Sequence, residues 1–210
     1  MRRLLRDNGL SIALLTMFLL SVVGMIGTGQ VSYNEELRQH GADEISLFAY
    51  VATGDFLSAL FENWESEFLQ MSAYVILTAI LFQRGSAESR DPDDPNRPAD
   101  VMTTSRVRPF FAWIYQHSLG LALALLFIAS FVLHVSYSLD AANERAALHG
   151  ENATDLVSYL TDPQLWFESF QNWQSEFMST GVLVVLSIFL RHKGSPESKP
   201  VGAEDGETGA

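Results

Sequence analysis

The sequence predicts an all-α membrane protein with four transmembrane helices, built from two parallel two-helix repeats with both termini on the inner side. Three observations predict this fold class. Hydrophobic residues make up 48% of the 210-residue chain and are concentrated in four blocks with few charges. Basic residues cluster in places that alternate with acidic segments. The second half of the chain repeats the first at a fixed spacing.

The four apolar blocks are the candidate membrane spans, at residues 10–26, 68–82, 110–135 and 177–190. A helix needs about 20 mainly apolar residues to cross the hydrocarbon core of a bilayer. The first and third blocks are close to or above that length, whereas the second and fourth are shorter. The two shorter spans are therefore expected to carry polar side chains close to the membrane boundary.

The charge pattern predicts the orientation. Eleven of the thirteen basic residues lie at 2–6, 84–108 and 191–199, and fifteen of the twenty-five acidic residues lie at 28–67 and 137–176. Lys and Arg accumulate on the cytoplasmic side of membrane proteins. Four crossings with both termini cytoplasmic place every basic cluster on one side, which predicts a multi-pass protein of the bacterial inner (cytoplasmic) membrane. A cleaved signal peptide is the alternative for the first block.

An internal repeat argues against that alternative, because it pairs the first block with an internal one. Residues 1–90 align without a gap on residues 110–199, and 25 of the 90 aligned positions are identical. Val31-Ser32-Tyr33 also recurs as Val135-Ser136-Tyr137 at a spacing of 104, which predicts a five-residue insertion in the first helix pair. The clusters of identity are Asn34-Glu35 with Asn143-Glu144, His40-Gly41 with His149-Gly150, FENWESEF with FQNWQSEF, and GSAESR with GSPESK.

The repeat and the blocks together predict the boundaries. Halves with the same orientation are related by an axis along the membrane normal, as parallel repeats are. The predicted segments are a first repeat at 1–90 (transmembrane helix about 10–28, outer loop about 29–53, long helix about 54–83), a cytoplasmic linker at 91–109, a second repeat at 110–199 (transmembrane helix about 110–137, outer loop about 138–162, long helix about 163–192) and a disordered acidic tail at 200–210.

Helix-terminal residues support the two long helices. Asp162 before Pro163 is typical of an N-cap followed by proline at the first helical position, and Thr53 can cap the first long helix in the same way. Gly85 and Gly194 follow the last basic residues, where glycine is typical of a helix C-terminal cap.

A polar motif stands at the threshold of each short span. Glu67 lies seventeen residues before Arg84, and Glu176 lies seventeen before Lys193. That is about 25 Å of helix, so each glutamate is expected near the outer membrane boundary, where an acidic group is costly unless paired or wetted. The candidate binding residues are Asn63, Trp64, Ser66, Glu67, Gln70, Asn172, Trp173, Ser175, Glu176, His40 and His149.

Two interpretations of this motif stay open. On a helical wheel Phe61, Trp64 and Phe68 share one face, and the polar residues share the opposite face. In the structural interpretation, tryptophan anchors each helix at the headgroups and the polar residues bond across helices. In the functional interpretation, two Asn/Glu clusters face each other and form one outer site for a cation, a proton or a polar solute.

The histidines do not predict a metal site. His40 and His149 occupy matched outer-loop positions and could combine with Glu67 and Glu176, but no HxxE or HxxH pattern occurs on one helix. His134 aligns with Met25 and has no histidine mate. We expect no metal and no cofactor.

Most enzyme signatures are absent from the sequence. It has no cysteine, no glycine-rich phosphate loop, no GxSxG and no HExxH. No basic patch with interleaved aromatics indicates nucleic acid. No catalytic residues are predicted, and the expected role is a structural or partner-binding component that contacts the lipid bilayer and a protein partner or a second copy. The alternatives are a channel or carrier for a proton, cation or small polar solute, and a membrane hydrolase that uses Ser66 or Ser175.

The motifs resemble those of an uncharacterised bacterial family of small multi-pass membrane proteins, with an ENWQSEFLQ-like sequence, an apolar helix and a GSxES exit. The matching segments are ENWESEFLQ at 62–70, NWQSEFM at 172–178, and the exits at 85–89 and 194–198. The resemblance implies an inner-membrane protein and brings no assigned activity. The sequence departs from the pattern at Glu65, and Met178-Ser179 replaces Leu-Gln in the second copy.

Overall fold

The computed structural model describes residues 2–94 and 108–209, with side chains from Arg6 onward, and every regular element in these ranges is an α-helix. The predicted linker at 91–109 lies mostly outside the described residues. The helices are α1 (Arg2–Gln39), α2 (Leu47–Tyr50), α3 (Gly54–Ile80), α4 (Pro109–Gln116), α5 (Ser118–Leu148), α6 (Leu156–Tyr159) and α7 (Pro163–Phe189).

Two of the described helices, Arg6–Gln39 and Ser118–Leu148, are long and apolar enough to cross a membrane. The sequence predicts four such helices. Over their first three turns α3 and α7 carry the polar threshold motifs, which lower the apolar content of the whole helix. Length and composition therefore identify two candidate spans.

The first pair of helices continues well beyond the expected ends. α1 reaches Gln39, where the outer loop was predicted from about 29, and α5 reaches Leu148, where the second loop was predicted from about 138. The N-terminal helices are also interrupted, at Asn8 in α1 and at His117 between α4 and α5. The polar residues at the ends of α1 and α5 continue the helix because helix length does not stop where apolar composition stops.

The described chain forms two compact units, which are treated separately below. Unit 1 comprises Met1–Leu60 and Leu133–Thr161, and unit 2 comprises Phe61–Val132 and Asp162–Ala210.

In unit 1, two asparagines fix the loops that follow α1 and α5. Asn34 accepts from the N–H of Ile45 at 2.9 Å and donates to its carbonyl at 3.0 Å. Asn143 makes the same pair of hydrogen bonds to Thr154, at 2.7 and 3.1 Å. Each amide side chain thus satisfies both backbone groups of one extended residue, which holds the loop against the preceding helix.

Short capped helices follow these loops. Ser46 caps α2 and Asp155 caps α6 through the side chain. Tyr50 and Tyr159, at the ends of these helices, are 3% and 4% exposed. Tyr159 shares a hydrogen bond of 2.5 Å with Ser138, whereas Tyr50 lies directly against Gly29.

These tyrosine contacts overturn the expected insertion. Gly29 and Ser138 are 109 residues apart and meet tyrosines that are also 109 apart. The spacing of 104 suggested by Val31-Ser32-Tyr33 is therefore wrong for this part of unit 1. The local similarity of those three residues is not matched by their contacts.

The caps of the two long helices are confirmed. The Asp162 carboxylate accepts from the N–H of Gln164 at 2.7 Å, and the Thr53 hydroxyl accepts from Phe56 at 3.3 Å. At the other end, Gly85 and Gly194 adopt φ values of +85° and +87°. They lie five residues beyond Ile80 and Phe189, so they shape the following turns and do not cap the helices as expected.

The acidic segment 200–209 of unit 2, for which composition predicts disorder, is held by a buried lysine. The Lys199 ammonium is 1% exposed and donates to the carbonyls of Glu204, Asp205 and Glu207 at 3.0–3.2 Å. Backbone carbonyls are the partners that a composition argument does not consider, and here they surround a charge that would otherwise be costly to bury.

Candidate functional site

The threshold motifs of α3 and α7 lie in unit 2 and share their local geometry. The hydroxyls of Ser66 and Ser175 donate to the carbonyls three residues earlier, at 2.9 and 2.8 Å. In both motifs phenylalanine packs edge-on against tryptophan with ring centroids 5.4 Å apart, in the pairs Phe61–Trp64 and Phe170–Trp173. Each serine is thus engaged with its own helix.

Polar contacts join the two helices at successive levels. Asn172 donates to the Glu62 carboxylate, and the indole Nε1 of Trp173 donates to Glu65 at 2.8 Å. One to two turns further along, Gln70 Nε2 donates to the Thr180 hydroxyl at 2.6 Å. These bonds form a polar seam between α3 and α7 that begins at the threshold motifs.

Aromatic rings surround the indole at the seam. Trp173 lies 6.3 Å from Phe127 of α5 and 5.4 Å from Phe170, measured between ring centroids. Trp166 continues this row, at 5.8 Å from Phe170 and 6.2 Å from Phe131. The apolar rings keep water from the indole N–H, so its bond to Glu65 is made where an unpaired donor would be costly.

The remaining motif residues lie at the surface or partly exposed. Asn63, Glu67 and Ser175 are exposed, and Glu176 is half-buried. The charge of Glu67 acts on Glu176. The expectation that paired Asn/Glu clusters face each other is therefore met for the glutamates only, because Asn172 bonds to Glu62 while Asn63 is exposed.

Sequence reasoning missed three residues of the seam: Glu62, Glu65 and Thr180. Glu65 is 0% exposed, whereas its repeat mate Gln174 is exposed and donates to its own helix at Gln171. The signal was the departure of Glu65 from the family pattern, since an acid in one copy only indicates a contact made in one copy only.

The two loop histidines come together within unit 1. The His40 and His149 rings meet edge-on with centroids 4.9 Å apart. Nδ1 of each lies 2.9 and 2.8 Å from the carbonyls of Glu36 and Arg145. A carbonyl only accepts, so each Nδ1 carries the proton and Nε2 is the remaining basic nitrogen of the neutral ring.

A second polar group of unit 2 lies where the long helices end. Ser86 and Ser187, both buried, share a hydrogen bond of 2.9 Å. The Tyr74 hydroxyl donates to Glu88 at 3.0 Å. Burial raises the pKa of Glu88, and the neighbouring Glu197 carboxyl raises it further, against the lowering effect of the Tyr74 hydrogen bond. A proton shared by these carboxyls is therefore favoured relative to an ordinary glutamate.

The chemistry of the seam is that of helix association. Its donors and acceptors are matched to one another, and both motif serines donate to backbone carbonyls and not to a base. A nucleophile needs a base within hydrogen-bond reach that orients it. The predicted hydrolase residues Ser66 and Ser175 do not have that arrangement.

Comparison with known proteins gives a family without an activity. No curated protein and no solved structure matches the chain. The family described as a domain of unknown function (DUF6766) matches residues 1–210, in agreement with the resemblance to an uncharacterised family. The chain therefore belongs to the DUF6766 family, whose biochemical activity is unknown.

Proposed function

We propose that this chain is a multi-pass protein of the bacterial inner membrane with four membrane-crossing helices and both termini in the cytoplasm. In this proposal it is built from two parallel repeats and acts as a structural or partner-binding component. Its threshold motifs hold the two long helices together.

The distribution of polar and apolar side chains carries this proposal. Leu20 and Leu125 are each 67% exposed and Val185 is 50% exposed, while Glu65 and Ser86 are fully buried. Soluble proteins do the reverse, since they bury large apolar residues and rarely bury acids. Apolar side chains exposed on α3 and α7 as well as on α1 and α5 support four lipid-facing helices.

Matched contacts support the parallel repeat. The asparagine clasps of unit 1 recur 109 residues apart, as do α2 and α6, and α3 and α7. Within unit 2 the Phe–Trp pairs recur with interplanar angles of 86° and 88°. Parallel repeats of this kind place equivalent helices in the same direction across the bilayer.

Single-cysteine labelling tests the topology, because the chain contains no cysteine. Exposed loop positions are available on each predicted side: Asp43 and Asn152 outside, Asp94 and Gly206 inside. With a membrane-impermeant maleimide on intact spheroplasts, Asp43→Cys and Asn152→Cys should label at once. Asp94→Cys and Gly206→Cys should label only after lysis. Labelling of Asp94→Cys in intact spheroplasts would overturn the four-helix topology.

A second candidate, conduction of protons or cations, is favoured by one observation. Glu67 and Glu176 come from different helices and act on each other electrostatically. Acids inside or at the edge of a membrane mark ion or proton pathways in many proteins. The test is proton flux into proteoliposomes that hold a pH-sensitive dye. Conduction predicts flux above empty vesicles that is lost in Glu67→Gln and Glu176→Gln and kept in the loop variant Glu151→Gln, whereas equal flux in all four proteins would exclude it.

A further inference from the structure

Two turns of unit 2 have the same backbone geometry but different neighbours. We call residues 83–90 the first turn and residues 192–199 the second turn. In the first turn Gln83 N–H donates to Ser89 at 2.8 Å, and in the second His192 N–H donates to Ser198 at 2.8 Å. The glycines at the centre of the turns have φ values within 2° of each other, at +85° and +87°.

The first turn is occupied by the acidic segment of the chain itself. Gly85 N–H donates to the Thr208 hydroxyl at 2.9 Å, and Gly209 N–H donates to the Ser86 carbonyl at 2.9 Å. The segment approaches so closely that a β-carbon on Gly85 would lie 2.6 Å from the Asp205 carbonyl oxygen. The turn therefore receives a threonine hydroxyl and backbone groups of an acidic, glycine-rich peptide.

The second turn presents the same surface without an occupant. A β-carbon on Gly194 would meet no heavy atom within 4 Å. Among the described residues, none accepts a hydrogen bond from the Gly194 N–H. The turn instead lines an open concavity of about 570 Å³ together with His192, Lys193 and Ser195.

The charge of the second turn also lacks a counterpart. Arg84 of the first turn pairs with Asp93 at 2.7 Å, which raises the pKa of Arg84 and lowers that of Asp93. Its repeat mate Lys193 has no ion pair with any residue in the described ranges. A cation beside a free backbone N–H is suited to an acidic ligand.

We propose that the second turn binds an acidic peptide segment of another protein, rich in glycine and carrying a threonine or serine, in the manner in which the first turn binds residues 205–209. The chain's own segment is already committed to the first turn, which favours a segment from a different protein. This inference rests on the partner-binding role proposed above and names the kind of partner.

The probe is a fluorescein-labelled peptide, Ala-Glu-Asp-Gly-Glu-Thr-Gly, with the sequence of residues 203–209. Fluorescence polarisation with full-length protein in detergent should show saturable binding at one site per chain. In Gly194→Ala the new methyl lies where the docked peptide carbonyl would come, so binding should weaken at least about tenfold. Gly150→Ala is the matched control, because Gly150 has φ of +70° and is equally open. It should bind like the wild type.

A second variant keeps the test valid if Gly194→Ala fails to fold. Lys193→Glu leaves the backbone unchanged and should also weaken binding, as should replacing the peptide's acids with amides. Absence of saturable binding, or equal binding by wild type and both variants, would overturn the proposal.

Two other occupants have distinct signatures, and either would overturn the proposal. If a second copy of the chain fills the turn, light scattering will show a dimer that the free peptide dissociates. If an anionic headgroup fills it, phosphatidylglycerol vesicles will bind the wild type and not Lys193→Glu while the peptide does not bind. All these assays are independent of membrane orientation, so their failure is distinguishable from failure of the labelling experiment.

Discussion

The indole Nε1 of Trp173 donates a 2.8 Å hydrogen bond to Glu65, a glutamate with no exposed surface. Trp173→Phe keeps the ring contacts with Phe127 and Phe170 but removes this donor. A buried acceptor that loses its partner costs about 1–3 kcal/mol. We expect the free energy of unfolding to fall by that amount, measured by denaturant titration in mixed micelles.

The control for this variant is Glu65→Gln, which retains a carbonyl oxygen for the indole. It should destabilise the protein less than Trp173→Phe does. If Trp173→Phe proves as stable as the wild type, the seam between α3 and α7 does not contribute to stability in the way proposed.

Asn34 is expected to be more important for stability than its repeat mate. It is 8% exposed and satisfies both backbone groups of Ile45, whereas the bonds of Asn143 to Thr154 are exposed. Water can replace a lost partner only at the exposed clasp. Asn34→Ala should therefore cost about 1–3 kcal/mol and Asn143→Ala less than about 1 kcal/mol. Thermal unfolding of the two variants in one detergent compares them, and equal losses would contradict the role of burial.

The cap of α6 should be sensitive to acid. Hydrogen bonds from the Ser158 hydroxyl and from the N–H groups of Ser158 and Val157 lower the pKa of Asp155. A carboxyl whose pKa is lowered by folding stabilises the folded state above its ordinary pKa of about 3.9, and this contribution is lost as the pH falls through the lowered value. Hydrogen exchange at 156–160, corrected for the intrinsic rate, should accelerate in that range.

The control for the acid sensitivity is α2, which the neutral Ser46 caps. Its exchange should not respond to the same acidification, and Asp155→Asn should remove the response of α6. A parallel loss of protection in both helices would indicate general unfolding instead.

Ser187 is expected to hold the first turn against α7. Its hydroxyl bonds to Ser86 at 2.9 Å and accepts from the N–H of Ala87 at 3.2 Å, and both serines are buried. Ser187→Ala leaves these groups without a partner and should cost about 1–3 kcal/mol. Ser195→Ala removes a hydroxyl that accepts locally from Glu197 and should cost less. Denaturant titration of both variants checks the difference.

Local chemistry predicted parts of the fold well. The caps at Thr53 and Asp162 follow from short-range preferences, and the structure has both. The ends of α1 and α5 did not follow from the sequence, because apolar composition marks where lipid could lie and not where a helix stops. The ordered segment after Lys199 was missed since its partners are backbone carbonyls, which every residue has.

The pairing across the seam could not be read from one helix at a time. A helical wheel gives the face of each residue but not the register or rotation of one helix against another. Identical motifs suggested equivalent partners, yet Asn172 meets Glu62 and Trp173 meets Glu65. Glu65 and its mate Gln174 differ in charge, and that difference was the only sequence sign of unequal contacts.

Tyr50 fills the space beside Gly29 that a larger residue would need, while Tyr159 uses the hydroxyl of Ser138. Each tyrosine has thus become adapted to its own neighbour. Recombination that copied one half of the gene over the other would have to carry both members of each pair, and exchange of a single member would set a side chain against a phenol ring. The halves have lost their interchangeability and now evolve as different proteins within one chain.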